Sequence, residues 1–152
     1  MVSVNVIWIL LGTVLIFIMQ AGFAMLETGF TRAKNAGNIM MKNLMDFCIG
    51  SVVFFVIGFG LMFAKGNGII GMIDIIHSGD YSSILPQGVP LKAYIVFQMM
   101  FACTAATICS GILAGRVKFA AYCILSAVVT AFVYPVSGHW IWGGGWLANL
   151  GF

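Results

Sequence analysis

The chain has 152 residues, of which 62% are hydrophobic and only 7% are charged, and its net charge is +3. Soluble domains carry about 25% charged residues, so this composition excludes a soluble globular protein. The basic residues cluster where membrane orientation alone explains them, and the sequence gives no support for nucleic-acid binding. The charges leave four long runs without any Asp, Glu, Lys or Arg, at residues 1–26, 47–64, 93–115 and 119–152.

We predict an all-α integral membrane protein with four transmembrane helices. A helix that crosses a bilayer needs about 20 apolar residues, and lipid offers no hydrogen bonds to an open strand. The first run is longer than the apolar core of a signal peptide and has no basic segment before it, so we expect it to remain in the mature protein. The predicted spans are residues 4–29, 43–64, 93–114 and 119–138.

The basic residues of two connections set the predicted orientation. The positive-inside rule places both connections on the cytoplasmic side of the cell membrane, which puts the N-terminus and residues 65–92 outside. Glu27 and Asp46 fall at the cytoplasmic ends of the first two spans. We expect them to act as anchors there, pairing with Lys34 and Lys42 or extending toward water. The basic residues are Arg32, Lys34 and Lys42 after the first span and Arg116 and Lys118 after the third.

Residues 139–152 form an external segment after the fourth span. The segment contains Gly143, Gly144 and Gly145 together with three tryptophans, so it is too rich in glycine for a helix and too apolar for a solvated loop. Such a segment fits the outer membrane interface or a cavity lined by protein. A single histidine in this setting, His139, is typical of a hydrogen-bonded structural residue, and a proton relay is the alternative.

The third span carries two stripes of small residues at helical spacing. Small side chains let helix backbones approach closely in lipid, and Gly111 with Gly115 forms a GxxxG pattern. We therefore predict tight packing of this helix against its neighbours. One stripe contains Ala102, Ala106, Ser110 and Ala114, and the other contains Cys103, Thr107, Gly111 and Gly115.

Aromatic residues mark a candidate cation site at the outer ends of the third and fourth spans. Phe97 and Phe101 lie one helical turn apart, and Trp142 is predicted at the same external level. Such residues commonly form an interface belt or pack in a core, but their coincidence also fits recruitment of a small cation. Cation–π attraction supplies about 0.5–2 kcal/mol, whereas a charge at mid-bilayer costs about 3 kcal/mol or more. The rings can therefore recruit an ion but cannot carry it through the membrane.

No metal, cofactor or catalytic site is predicted. The cysteines lie inside predicted spans without Cys-x-x-Cys spacing, which favours a packing role over metal binding or disulfides. His77 lies near Asp74 and Asp80 in the long connection, where a solvated loop is a more common arrangement than a weak metal site.

Five motifs occur in a specific order and spacing, namely QAGFAMLETGF at 20–30, RAKN at 32–35, NIMMKNL at 38–44, FQMMFA at 97–102 and SGHWIWGGG at 137–145. Together they resemble the N-terminal part of the ammonium transporter family (Amt/Mep/Rh), and the resemblance runs from Val4 to the end of the chain. The sequence departs from the family at Gly115, where family members commonly have Glu before an Arg.

The resemblance implies a bundle of eleven helices built from two inverted repeats, of which this chain has about four, assembled as a homotrimer. It also implies that ammonium is recruited at an external vestibule and that ammonia passes through an apolar pore. Phe101 would cap this pore, Trp142 would border the ammonium site, and Phe97 would border the same vestibule. The family's pore histidines and site aspartate fall beyond Phe152, so we expect an incomplete fragment.

From these observations we expect ammonium or ammonia transport and no enzyme activity. The expected partners are the lipid bilayer, two further copies in a homotrimer and, as the family allows, a cytoplasmic PII-type regulator. Two alternatives stay open, namely an Amt-like membrane sensor module and a truncated membrane protein that does not transport.

Overall fold

The computed structural model of the chain describes residues 4–75, 77–113 and 115–151. In these ranges the regular structure is helical, and four helices are long and apolar enough to cross a membrane, which confirms the predicted all-α architecture. The helices are α1 at Val4–Gly29; α2, which comprises Ala36–Val53, a π-helical turn at Phe54–Gly58 and Phe59–Phe63; α3 at Leu91–Leu113; α4, which comprises Phe119–Val128, a π-helical turn at Val129–Val133 and Tyr134–Ile141; and the short α5 at Trp146–Asn149.

Helix α2 begins at Ala36, well before the predicted start at residue 43, because a short 3₁₀ turn at Ala33–Asn35 leads directly into it. Lys42 therefore lies inside the helix with 1% of its surface exposed. Its ammonium group donates to the carbonyl oxygen of Val117 at 3.0 Å and lies 5.5 Å from the ring centroid of Tyr122. These partners allow the charge to be buried, so the charge does not mark the start of the helix.

Helix α4 continues beyond the predicted end at residue 138 to Ile141, and α5 adds a further helical turn. The expectation that this glycine-rich segment contains no helix is therefore wrong for these residues. Gly138 fits within α4 because α2 passes so close that a Cβ atom at this position would overlap the side chain of Met62. Ala114 and Phe152, which end the predicted third span and the last segment, lie outside the described residues.

Helix α3 lies at the centre of the bundle, with α1 on one side and α2 on the other, and α2 also packs against α4. Half of the most apolar stretch of α3 is buried, whereas only 11% of the corresponding stretch of α1 is buried. Most apolar side chains of α1 are therefore exposed, and the groove that α1 forms with α3 is not covered by any other described segment.

The small residues of α3 pack closely, but not through the predicted GxxxG pattern. Gly111 faces open space, with no neighbouring atom within 4 Å of a Cβ placed there, while Gly115 has φ +72° and follows the end of α3. The close approach comes from Gly50 of α2, where a Cβ would lie 3.2 Å from the sulfur of Cys103. The buried members of the two stripes are Ala102, Cys103, Ala106, Thr107 and Ser110.

Because consecutive helices run antiparallel, the bundle has two distinct ends. We name the end with residue 4, the connection at residues 64–90 and residues 142–151 the N-terminal end. The opposite end, which contains the connections at residues 30–35 and 115–118, is named the short-loop end.

Asp74 organises the long connection at the N-terminal end. Its carboxylate accepts hydrogen bonds from the backbone N–H of Gly79 at 2.9 Å, the hydroxyl of Tyr81 at 2.8 Å and the N–H of Ser78 at 3.3 Å. The hydrogen bonds from Gly79 and then Tyr81 hold the pKa of Asp74 below its usual value. Burial raises the pKa of Tyr81, and the hydrogen bond to Asp74 raises it further.

Candidate functional site

Phe97 and Phe101 form an aromatic pair in the groove between α1 and α3. Their ring centroids lie 5.1 Å apart, and the rings are nearly perpendicular at 81°. The ring of Phe97 packs against Gly12 of α1, where a Cβ would lie 3.1 Å from its Cε2. The groove beside the pair has a volume of about 310 Å³ and is otherwise lined by apolar residues of α1, namely Trp8, Ile9, Leu11, Gly12, Leu15 and Ile16.

Trp142, the third predicted site residue, makes no ring contact with this pair in the described residues. It follows the last residue of α4 at the N-terminal end, and 53% of its surface is exposed. Phe101 lies about 15 Å along α3 from its first residue, Leu91, as estimated from the rise of an α-helix. In the described residues the ring of Trp142 pairs with neither phenylalanine, whereas Trp140 and Trp146 pair with each other at 6.1 Å. The structure therefore brings two of the three predicted residues into contact.

A chain of polar side chains joins all four long helices further along the groove, and we name it the polar core. Gln20 of α1 donates from Nε2 to the hydroxyl of Thr107 at 2.6 Å, and Thr107 donates to Oδ2 of Asp46 at 2.7 Å. The hydroxyl of Ser126 in α4 donates to the other oxygen of Asp46. Thr104 also donates to Oε1 of Gln20, at 3.3 Å. The polar core thus fixes the carboxylate of Asp46, which is fully buried.

A second set of hydrogen bonds holds the carboxylate of Glu27. Asn43 donates from Nδ2 to Oε2 at 2.8 Å, and the hydroxyl of Ser110 donates to Oε1 at 2.8 Å. Only 8% of the surface of Glu27 is exposed. The expectation that Glu27 and Asp46 pair with Lys34 and Lys42 is therefore wrong, because neutral side chains occupy the hydrogen-bonding positions of both carboxylates.

Neither the polar core nor the partners of Glu27 were among the contacts predicted from the sequence. The signal was present, because polar side chains inside otherwise apolar spans are costly in lipid and face protein or water when they occur. The residues that this signal would have selected are Gln20, Asn43, Thr104, Thr107, Ser110 and Ser126.

His139 is a buried structural residue with 2% of its surface exposed. Its Nδ1 lies 2.7 Å from the carbonyl oxygen of Met62, and its Nε2 lies 2.9 Å from the carbonyl oxygen of Asn67. The ring thus connects the end of α4 to the end of α2 and to the following connection. His139 lies in the last turn of a helix, not in the interfacial loop that was predicted.

The described residues contain no group of three His, Cys, Asp or Glu side chains arranged to hold a metal ion. All four cysteines are free thiols, and Cys103 is buried. The ring of His77 packs against Phe55 at 4.9 Å and Phe59 at 5.3 Å, so the solvated loop predicted for His77 is wrong.

Comparison with known proteins gives the wider context of this bundle. The Ammonium Transporter Family model matches residues 7–152. The chain belongs to the ammonium transporter family. It is therefore a multi-pass membrane protein, since four of its helices are long and apolar enough to span a bilayer.

Individual relatives cover nearly all of this chain. "Ammonium transporter Amt2" of Archaeoglobus fulgidus is 49% identical over 150 residues, which are 98% of this chain and 31% of the relative. "Ammonium transporter Amt1" of Haloferax mediterranei is 43% identical over 152 residues, which are 99% of this chain and 28% of the relative. A solved structure described as "Sensor Amt Protein" matches with a TM-score of 0.88 at 39% identity, covering 98% of this chain and 38% of that one. The chain thus spans about a third of the length of these proteins.

Proposed function

We propose that this chain forms the N-terminal part of an ammonium transporter in the cell membrane, with its N-terminus outside. Ammonium is recruited at an external vestibule bordered by Phe97, Phe101 and Trp142, and ammonia passes through an apolar pore. Membership of the ammonium transporter family supports this proposal. The observation that carries it is the Phe97–Phe101 pair in an apolar groove on a face that no other described segment covers.

The chemistry of the groove favours a neutral permeant. Aromatic faces attract a cation by about 0.5–2 kcal/mol each, which is enough to concentrate ammonium at the mouth. A cation that moved deeper would leave water for an apolar channel at a cost that two rings do not offset. Transfer of a proton from ammonium to external water at the vestibule removes that cost, because neutral ammonia enters the apolar pore without burying a charge.

The uncovered groove also supports a role within a larger assembly. The relatives are about three times as long as this chain, and α1 exposes most of its apolar side chains. Further helices of a longer chain would cover the α1–α3 groove and complete the walls of the path. We further propose a homotrimer of such chains and a cytoplasmic PII-type regulator at the short-loop end.

Uptake of methylammonium by vesicles that contain the full-length protein tests the proposal. Phe101→Ala and Trp142→Leu are expected to change the rate or selectivity of uptake and to leave the trimer intact. Phe132→Ala is the matched control, because Phe132 is an exposed aromatic residue of α4 outside the groove. Uptake that is unchanged in both site variants would reduce Phe101 and Trp142 to interface residues. Vesicles that contain only this chain should show no uptake, and robust uptake would overturn the role as part of a larger path.

A sensor module is the second candidate function, because the structural relative with a TM-score of 0.88 is described as a sensor. A sensor would bind ammonium and change conformation without net flux. Calorimetric binding of methylammonium by the full-length protein together with an absence of uptake would favour this candidate. Neither binding nor uptake would favour a truncated membrane protein that does not transport.

A further inference from the structure

A second open groove lies between α1 and α3 at the short-loop end. Its volume is about 390 Å³, and its walls are mostly apolar side chains of the two helices. One carboxylate enters this lining, that of Glu27, together with the hydroxyl-bearing Thr107 of the polar core. The lining also contains Phe23, one turn before Glu27 in α1, and Phe30, which directly follows the end of α1.

The buried ionisable groups around this groove include more acids than bases. Glu27, Asp46 and Lys42 expose 8%, 0% and 1% of their surfaces, so two acidic groups and one basic group are buried. The ammonium group of Lys42 is directed to the carbonyl oxygen of Val117 and the ring of Tyr122, not to a carboxylate. A buried carboxylate without a counter-charge is costly even when neutral donors solvate it. A positive charge placed beside Glu27 would offset this cost.

Glu27 is the carboxylate that such a charge can reach. Asp46 is sealed between Thr107 and Ser126 and has no exposed surface. Glu27 lines the groove directly, and its two oxygens are fixed in position by Asn43 and Ser110. The carboxylate is thus already oriented before a ligand arrives, which lowers the entropic cost of binding.

We propose that Glu27 is a cation-binding site for ammonium or a small alkylammonium at the short-loop end of the α1–α3 groove. The carboxylate supplies the charge-assisted hydrogen bond, and the rings of Phe23 and Phe30 offer cation–π surface at the rim. The site rests on the proposed transport function, because its groove lies between the same two helices as the groove beside Phe97 and Phe101, toward the opposite end of the bundle. There it holds the substrate in its charged form at the cytoplasmic mouth.

Glu27→Gln is the informative variant because the surroundings can accept it. The Oδ1 atom of Asn43 is buried and accepts no hydrogen bond from a described residue. A glutamine at position 27 can still accept from Ser110 through its carbonyl, and its amide can donate to this oxygen once the Asn43 amide flips, which gives up the hydrogen bond from Asn43 to the carbonyl oxygen of Ile39. The variant therefore removes the charge, with little expected change in packing.

Infrared difference spectroscopy of the full-length protein in lipid nanodiscs, with methylammonium as the probe, tests the site. Addition of methylammonium should shift the carboxylate stretching bands of the wild type, and Glu27→Gln should lose this shift. Asp74→Asn is the matched control, because Asp74 lies in the long connection at the opposite end, and it should retain the shift. Equal melting temperatures of the wild type and Glu27→Gln establish that the variant is folded.

Uptake measured on the same samples separates this inference from the proposed function. Wild-type uptake without a Glu27-dependent band shift overturns the cation site and leaves transport standing. A Glu27-dependent shift without uptake overturns transport and supports the site. A protonated carboxyl band that persists at saturating methylammonium shows that a proton neutralises Glu27, and an equal shift with sodium shows a site without ammonium selectivity. Either of these last two results overturns the proposal.

Discussion

The ring of Phe97 rests on Gly12 of α1, and a methyl group at position 12 would lie 3.1 Å from Cε2 of that ring. The missing side chain at Gly12 thus sets where Phe97 sits and how wide the groove is beside Phe101. A bulky residue at position 12 has to push Phe97 across the groove, because protein interiors leave little free volume for it to move elsewhere.

Gly12→Leu is accordingly expected to lower methylammonium uptake by the full-length protein about tenfold, which corresponds to a penalty of about 1.4 kcal/mol on the path. Gly22→Leu is the control on the same helix, because a Cβ at Gly22 meets no atom within 4 Å. Uptake assays in vesicles with matched protein content compare the two. Equal losses in both variants would assign the effect to the glycines of α1 in general and not to contact with Phe97.

His139→Ala is expected to destabilise the protein by about 2 kcal/mol or more. The substitution removes both contacts of the ring and leaves the buried carbonyl oxygen of Met62 without this partner, and a buried unsatisfied group costs about 1–3 kcal/mol. Denaturant titration in detergent measures the change. Ser137→Ala provides the comparison, because its exposed hydroxyl bonds only within its own helix. A loss no larger than that of Ser137→Ala would show that His139 does not connect α4 to α2.

Asp46 allows a comparison of charge with hydrogen bonding in the polar core. Asp46→Asn keeps an acceptor for Thr107, and the hydroxyl of Ser126 can rotate to accept from the new amide, so the cost should be about 1 kcal/mol. Asp46→Leu removes both acceptors and should cost about 2–4 kcal/mol. Denaturant titration ranks the two variants. The reverse order, with leucine better tolerated, would mean that the polar core is kept for function at the expense of stability.

The long connection should loosen at acid pH. The folded pKa of Asp74 lies below its unfolded value, so its hydrogen bonds stabilise the connection fully above about pH 4, and this contribution is lost as the pH falls through the folded pKa. Hydrogen exchange of the Gly79 amide, corrected for intrinsic rates, should therefore accelerate as the pH falls below about 4. Asp74→Asn should abolish this dependence, while Asp80→Asn, which removes a carboxylate bonded to Ser82, should preserve it. If hydrogen exchange of the Gly79 amide in the wild type did not depend on pH, the result would contradict the role of Asp74.

The four helices could be predicted because a backbone that crosses lipid must satisfy its own hydrogen bonds. Runs without charges must form helices in a bilayer, and α1 occupies the predicted residues Val4–Gly29. The start of α2 could not be predicted in the same way, because a lysine next to an apolar run indicates a position outside the membrane. Its burial depends on Val117 and Tyr122, which follow much later in the chain and meet it only in the folded bundle.

The same distinction between local contacts and contacts made only in the folded bundle applies to the candidate site. The contact of Phe97 with Phe101 follows from helical spacing and is local. The position of Trp142 depends on how α4 ends, and the geometry of that end is set by His139 and its bonds to α2. The surroundings of Glu27 come from three helices, so no single stretch of sequence indicates which side chains meet there.

The two π-helical turns lie against each other, and a Cβ at Gly58 in one would lie 2.8 Å from the carbonyl oxygen of Thr130 in the other. Each such turn accommodates one residue more than an α-helical turn, which changes the angular phase of everything after it by about 100°. Deleting one residue from Phe54–Gly58 would therefore keep the run long enough to span a bilayer while turning Met62 away from His139. A hydropathy plot would show almost no change, although the contact between α2 and α4 at Met62 and His139 would be lost.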